Sequence, residues 1–274
     1  MQFGIDIGPT EHSMDVRELG KLVENYGFDS IFFPDHTHKP AVPDQVARES
    51  YHMLDPFIAL TAVAGVTERL KLGFGICLII QRDPILVAKE IATLDLLSGG
   101  RVLFGIGAGW HRGEMRNHGT DPQTRFALMR EQVLVLKSLW TEDETTFDGE
   151  FLNYGPIWLL PKPVQQPHPP VMIGGEGPTV LERVVDYGDE WFPNAHDGIE
   201  DRVRELQRLA TEAGRDAIPV TVIHTEPDLD TIRSYAEAGV TRCLFSIPSS
   251  GRDEIEPPLE EYAAVAAEFV GCST

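Results

Sequence analysis

Short apolar runs and amphipathic stretches alternate along the whole chain, and that alternation predicts the fold before any single residue does. Residues 3–7 form a run of strand type, and 15–26 follow as a helix with Val16, Leu19, Leu22 and Val23 on one face. Gly27 ends that helix, and Ser30-Ile31-Phe32-Phe33 is the second strand. A polar, proline-bearing stretch over 36–52 leads into a helical pattern at 56–66. Residues 70–76 predict a third strand and 84–97 the next helix, which closes at Ser98 because Gly99 and Gly100 can take a positive φ. Val102-Leu103-Phe104-Gly105-Ile106 shows no polar alternation, as expected of a parallel strand covered on both faces. A helix over 124–140 completes the first half.

Residues 141–169 break the rhythm. Asp148-Gly149 reads as the centre of a tight hairpin. The proline-dense stretch over 156–170 excludes a regular helix or an inner strand. This segment is expected to be an insertion packed over the mouth of the fold. Beyond it the alternation resumes with strands at 170–174, 191–193, 220–225 and 243–246, each followed by a helical pattern. Alternation with right-handed crossovers allows an open doubly wound sheet or a closed barrel. Eight units in 274 residues favour the barrel. The expectation is a single α/β domain over 1–274, a (β/α)8 TIM barrel with 141–169 inserted near its C-terminal mouth.

Composition narrows the partners. A net charge of −20 argues against nucleic acid or an anionic membrane surface. The N-terminus carries a strand rather than a basic, apolar leader, and no apolar run approaches the roughly 20 residues that span a bilayer. Cys77, Cys243 and Cys272 are too scattered for a disulfide framework or a zinc site. A cytoplasmic, reduced protein is expected.

Two strand ends carry the candidate chemistry. The fourth strand runs into Gly107-Ala108-Gly109, and 170–173 open into Gly174-Gly175-Glu176-Gly177-Pro178 before a helix begins. Glycine and alanine there leave the backbone bare at the end of the sheet where ligands of parallel α/β proteins sit. The free N–H groups of a helix start suit a phosphate. The glycine spacing is neither a Walker loop nor the dinucleotide Gly-x-Gly-x-x-Gly. Glycines at βα junctions also serve as plain turn residues, but two such places together point to a cofactor site. Asp35-His36 ends the second strand, and reads either as a turn or as a group that gives a proton or hydrogen bond to a ligand. His36, His38 and His52 with Asp35 and Asp44 lack the spacing of a metal site, and no nucleophile elbow is present. Asp95 and Arg101 read as a structural ion pair at the lower face. Trp110 is either a lid packed into the core or a wall for a planar ligand, and nothing in the sequence fixes the direction of Glu114 or Arg116.

These residues together resemble the luciferase-like flavin and deazaflavin oxidoreductases, a family of (β/α)8 barrels. The resemblance runs through Gly27-Phe28-Asp29-Ser30-Ile31, Asp35-His36, Arg82-Asp83-Pro84 and Ala88-Lys89. It continues through 92–101, Gly105-Ile106-Gly107-Ala108-Gly109-Trp110, Pro161-Lys162-Pro163-Val164-Gln165 and Ile173-Gly174-Gly175. It is nearest the deazaflavin branch, which implies hydride transfer between coenzyme F420 and a small organic substrate. FMN is the alternative cofactor, in a monooxygenase supplied by a separate reductase; a non-catalytic flavin-binding protein is a third reading. The resemblance implies a ring beside Asp35 and His36, backed by a non-proline cis peptide at Gly75–Ile76. It places the polyol at Gly107, Ala108 and Gly109 and the phosphate at Gly174, Gly175, Glu176 and Gly177, and it implies a homodimer. The acidic tail of F420 would want cations at the exit, for which Arg82, Arg112 and Arg125 are candidates. The sugar-phosphate dehydrogenases of the family carry a glutamate near the fourth-strand glycines and a tryptophan after the Asp-His pair. Here Ala108-Gly109 and Thr37-His38-Lys39-Pro40 stand in those regions, which speaks against glucose 6-phosphate as substrate.

Overall fold

A computed structural model describes residues 1–41 and 52–269. In chain order its elements are β1 (Gln2–Asp6), α1 (Val16–Asn25), β2 (Ser30–Phe33), α2 (Pro56–Ala64), β3 (Lys71–Phe74), α3 (Pro84–Ser98), β4 (Val102–Ile106), α4 (Arg112–Asn117), α5 (Arg125–Thr141), β5 (Thr145–Asp148) and β6 (Asn153–Ile157). The second part adds β7 (Val171–Gly174), α6 (Val180–Tyr187), β8 (Glu190–Phe192), α7 (Ile199–Glu212), β9 (Thr221–Val222), α8 (Leu229–Ala238), β10 (Arg242–Ser246) and α9 (Arg252–Ala267). Helix starts follow local chemistry. The carboxylates of Asp15, Asp55, Asp83 and Asp228 each accept a first-turn amide of α1, α2, α3 and α8, and Pro56 and Pro84 occupy first positions that need no N–H bond.

Eight parallel strands run in the order β8-β7-β4-β3-β2-β1-β10-β9. Parallel bridges from Trp191 to Val220 and from Asn194 to Ile223 join β8 to β9 and close the ring. The expected (β/α)8 barrel is therefore present. Its interior is packed by Phe32, Leu103, Met172, Phe192, Ile223 and Leu244, with Ile76 against them. The larger core lies between strands and helices. Gly73 is required by this packing, since a Cβ there would sit 2.3 Å from the Phe32 ring.

Three expectations are corrected. Segment 141–169 does not cover the mouth. It follows a helix and precedes a strand, so it lies at the N-terminal end of the barrel and along the outside of α3 and α5. Val164 N, Gln165 N and Gln165 Nε2 bond Asp95 near the end of α3, and Gln165 Nε2 also bonds the Val102 carbonyl at the start of β4. The hairpin of β5 and β6 is not a two-residue turn: its strands stop at Asp148 and restart at Asn153. The amides of Glu150, Phe151 and Leu152 donate to Glu131 of α5, which holds the longer loop. Asp95 and Arg101 do not pair. Arg101 donates instead to Ser98 O, Thr67 Oγ1, Leu70 O and Ala64 O, while Asp95 is filled by residues 164 and 165.

Ile58, Leu86 and Leu97 stand exposed on α2 and α3. No described helix is long and apolar enough to cross a membrane. Cys77 and Cys243 are buried and unbonded, and Cys272 and Asp44 lie outside the described residues.

Candidate active site

A cavity of about 600 Å³ opens at the C-terminal ends of the strands. Asp35, His36, Gly75, Ile76, Gly107, Ala108, Gly109, Gly174, Gly175, Glu176 and Gly177 all line it. One wall comes from the ends of β3, β4 and β7 and presents little side chain. The Gly75–Ile76 peptide there is cis. The glycines of this wall differ in purpose. A Cβ on Gly107 would lie 1.9 Å from Ile76 Cδ1, so that space already belongs to this chain's own packing. A Cβ on Gly175 or Gly177 would meet nothing within 4 Å, and Gly175 sits at φ +112°, a conformation that excludes most side chains. These two make an open, backbone-lined cradle.

His36 is placed by β2 and fixed from α4. Its Nδ1 lies 3.0 Å from Glu114 Oε2, and Glu114 is buried. Lys39 Nζ lies 3.1 Å from both ring nitrogens and 3.4 Å from Glu114 Oε1. Burial lowers the His36 pKa below the ordinary histidine value, Lys39 adds to that, and Glu114 opposes it. For Glu114 burial pushes upward, but His36, Lys39 and Gln81 together bring it below the usual carboxylate range. The pair therefore presents an imidazole held by a carboxylate and made less basic by burial, an arrangement suited to proton transfer. Trp110 is two-thirds exposed and edge-on to His36 at 6.4 Å, which makes it a wall of the cavity and not a core residue.

Asp35 has a different employment. Its carboxylate accepts from Leu78 N at 3.0 Å, Arg82 Nε at 3.0 Å and Arg82 Nη2 at 2.8 Å. Arg82 also reaches Asp55 at 3.0 Å and is thereby committed, so it is not a free cation for an acidic tail. Burial would lower the Arg82 pKa, but bonding to Asp35 and Asp55 raises it above the ordinary value.

Other cations gather at the exit beside residues 174–177. The guanidinium groups of Arg183 and Arg125 flank the ring of Phe126 at 4.1 and 4.3 Å. Arg183 lines the cavity, and its Nε is buried without a partner. Arg125 borders an adjoining depression with Arg112 and Arg116. Sequence reasoning named Arg112 and Arg125 for this place but missed Arg183 and Phe126. It also missed Asp6 and His224, which line the same cavity. A carboxylate inside the apolar run 3–7 was the available signal for Asp6. His38 pairs with Asn117, and His52 with Glu11, so the histidines of this region do not converge with Asp35. Glu11, His12 and His52 bring their ligand atoms within 4.8 Å of one another, all exposed.

Comparison with known proteins identifies the family. The chain is 35% identical over 280 residues to an uncharacterized protein of Mycobacterium tuberculosis, Rv0953c, covering 97% of this chain and 99% of the relative. It is 29% identical over 225 residues to the F420-dependent glucose-6-phosphate dehydrogenase of Amycolatopsis mediterranei, covering 81% and 65%. Against the FMNH(2)-dependent dimethylsulfone monooxygenase of Pseudomonas putida the identity is 32% over 158 residues, covering 56% and 43%. The coenzyme F420-dependent tetrahydromethanopterin reductase of Methanopyrus kandleri superposes with a TM-score of 0.78 at 21% identity, over 98% of this chain and 99% of that one. Residues 2–241 match the family described as luciferase-like monooxygenase, and the chain belongs to that family.

Proposed function

We propose that this chain is an F420-dependent oxidoreductase that moves a hydride between the deazaflavin and a small organic substrate. The observation that carries the reading is the arginine group beside the open cradle of Gly175 and Gly177. In a chain of net charge −20, Arg183 lines the cavity beside the cradle, and Arg125, which shares the Phe126 ring with it, borders a second depression with Arg112 and Arg116. A phosphate followed by an acidic tail fits that distribution, because guanidinium groups bind such oxygens in forked pairs. The buried, unpartnered Nε of Arg183 fits the same group. FMN offers the ring, polyol and phosphate without the further acidic tail.

The deazaflavin, when bound, supplies the carbon that accepts or gives the hydride. The residues of this chain do the rest. Gly75 and Ile76 shape the wall for a planar ring, Gly107, Ala108 and Gly109 border the polyol, and the backbone of Gly174, Gly175, Glu176 and Gly177 receives the phosphate end. His36 holds or releases the proton that accompanies hydride transfer. Glu114 orients its imidazole, and Asp35 acts as a positioning residue through Arg82 and the Leu78 amide. The apolar face on α2 and α3 supports a homodimer, which light scattering at micromolar concentration tests.

Titration of the purified protein with F420 and with FMN decides the cofactor. Micromolar affinity for F420 with weaker binding of FMN is expected. Tight FMN binding with none for F420 would overturn the proposal and point to a monooxygenase fed with reduced flavin.

A further inference from the structure

Beside the glycine wall, the ends of β9, β10 and β1 complete the cavity and hold a second titratable pair that the proposed hydride transfer leaves unused; a Cβ on Gly75 would lie 3.6 Å from Asp6 Oδ1. Asp6, the last residue of β1, is buried. Its Oδ2 lies 3.5 Å from His224 Nε2 and 3.4 Å from the hydroxyl of Ser246, which ends β10. His224 has φ +58° and is the one non-glycine residue with a positive φ among the described residues. That conformation costs about 1 kcal/mol or more, and such outliers persist where the surroundings fix them. The flanking residues are fixed: Ile223 N bonds Pro193 O at 3.0 Å and Thr225 N bonds Leu244 O at 2.9 Å. The unusual φ therefore belongs to a pinned backbone that delivers the ring to the cavity.

The charges around this ring limit what it can meet. The carboxylate of Glu176 turns from the glycine loop toward this ring and accepts from Asn194 N and Nδ2, both at 2.6 Å. Arg183 is the one arginine among the described cavity-lining residues, and it stands at the glycine-loop end; no lysine lines the cavity there. Asp6 and Glu176 thus face a single imidazole. The sum over the three groups is positive only when both carboxyls are protonated and the imidazole is charged, and is zero or negative otherwise. A phosphate or carboxylate would need a guanidinium or ammonium partner that this side does not offer. A hydroxyl or carbonyl oxygen needs one donor or acceptor, which the imidazole supplies.

We propose that His224, positioned by Asp6 and Ser246, is the substrate-recognition residue of the cavity, and that it takes an uncharged oxygenated molecule, an alcohol or a carbonyl compound, in preference to a phosphorylated or carboxylated one. The proposal deepens the hydride-transfer reading and rests on it for the meaning of substrate.

Matched probes test it: cyclohexanol and cyclohexanone against cyclohexyl phosphate and cyclohexanecarboxylate, by saturation-transfer NMR, with and without bound cofactor. The neutral pair is expected to bind at least tenfold more tightly than the anions. His224→Gly suits the positive φ while removing the ring, and should weaken neutral binding at least fivefold with cofactor affinity unchanged within twofold. His224→Gln should restore part of it. Asp6→Asn should lower the imidazole pKa of His224, read by NMR, which a merely structural Asp6 would not do. Anions bound as tightly as neutral probes, no binding of any probe, or unchanged neutral binding in His224→Gly would each overturn the proposal. A wild-type chain that binds neither cofactor defeats the functional reading instead, and the probes on the cofactor-free chain still decide the preference of this side.

Discussion

The two ends of the barrel treat polar groups in opposite ways. At the N-terminal end most of them are consumed, with Ser30 Oγ and Arg242 Nε among the buried exceptions. Arg101 makes four bonds to side chains and carbonyls, Asp95 accepts three, and Arg215 donates to the carbonyls of Val184, Val185 and Gly188. Arg242 lies between Asp29 and Glu190 at the starts of the strands. At the C-terminal end polar capacity is left over: an imidazole made less basic by burial, an unpartnered guanidinium nitrogen, and glycines facing open space. A barrel can reserve one end for binding because the other secures the strands.

The sharpest test of that division is His36→Ala. Loss of a general acid–base group costs on the order of 10²–10⁴ in turnover, and kcat is expected to fall by at least two orders of magnitude while cofactor still binds. A thermal melt should show little change, and a large loss of Tm would erase the contrast. Asp95→Ala is the counterpart. It leaves two amides and the Gln165 side chain without their acceptor, at about 3 kcal/mol, or roughly 6–12 °C in Tm for a chain of this size. Turnover per folded molecule should hold, and a selective loss of kcat would break the division from the other side.

Arg125→Ala reads the exit. F420 affinity should fall about tenfold, equal to about 1.4 kcal/mol, with a smaller loss for FMN and a weaker dependence on salt. Equal losses for both cofactors would remove the acidic-tail argument. Glu114→Gln should give the smallest effect. Glu114 raises the His36 pKa against the lowering by burial, so removing its charge moves the acidic limb of kcat/KM to lower pH. Movement to higher pH would show that another group governs the limb. The two histidines also act oppositely on stability. The lowered pKa of His36 makes stability fall as pH drops below about 6.5, where the unfolded chain gains the proton first. The raised pKa of His224, caused first by Asp6, gives a contribution present below that pH and lost as pH rises through the folded value. Urea melts of the two single variants across pH 5–8 separate these slopes.

Much of this was legible in the sequence because it is local. Strand and helix periods, aspartate caps and glycine-ended strands are read within a few residues, and they located the barrel and the wall of the cavity. Glu114 was not legible as a partner of His36: α4 is only six residues long, and its direction is set by where the chain returns to the barrel. Asp6 and His224 are far apart in the chain and meet only because β1 and β9 both flank β10. The place of segment 141–169 follows from connectivity, since a segment between a helix and a strand of such a barrel lies at the end away from the ligands. Arg101 was misread for a different reason. An acid and a base six residues apart suggest a pair, but backbone carbonyls at the helix end compete for the guanidinium.

The contact between Gly107 and Ile76 carries a consequence for variation. The two residues share one volume: the methyl end of Ile76 fills the place where any side chain at 107 would begin. Neither position can be altered as though the other were constant. A bulkier residue at 107 calls for a smaller one at 76, and libraries that change either site alone will record as intolerance what is a dependence between them. Gly107→Ala should displace the Ile76 methyl into the cavity at small cost in stability, and Ile76→Ala should remove that cost, so the pair is best treated as a single heritable unit.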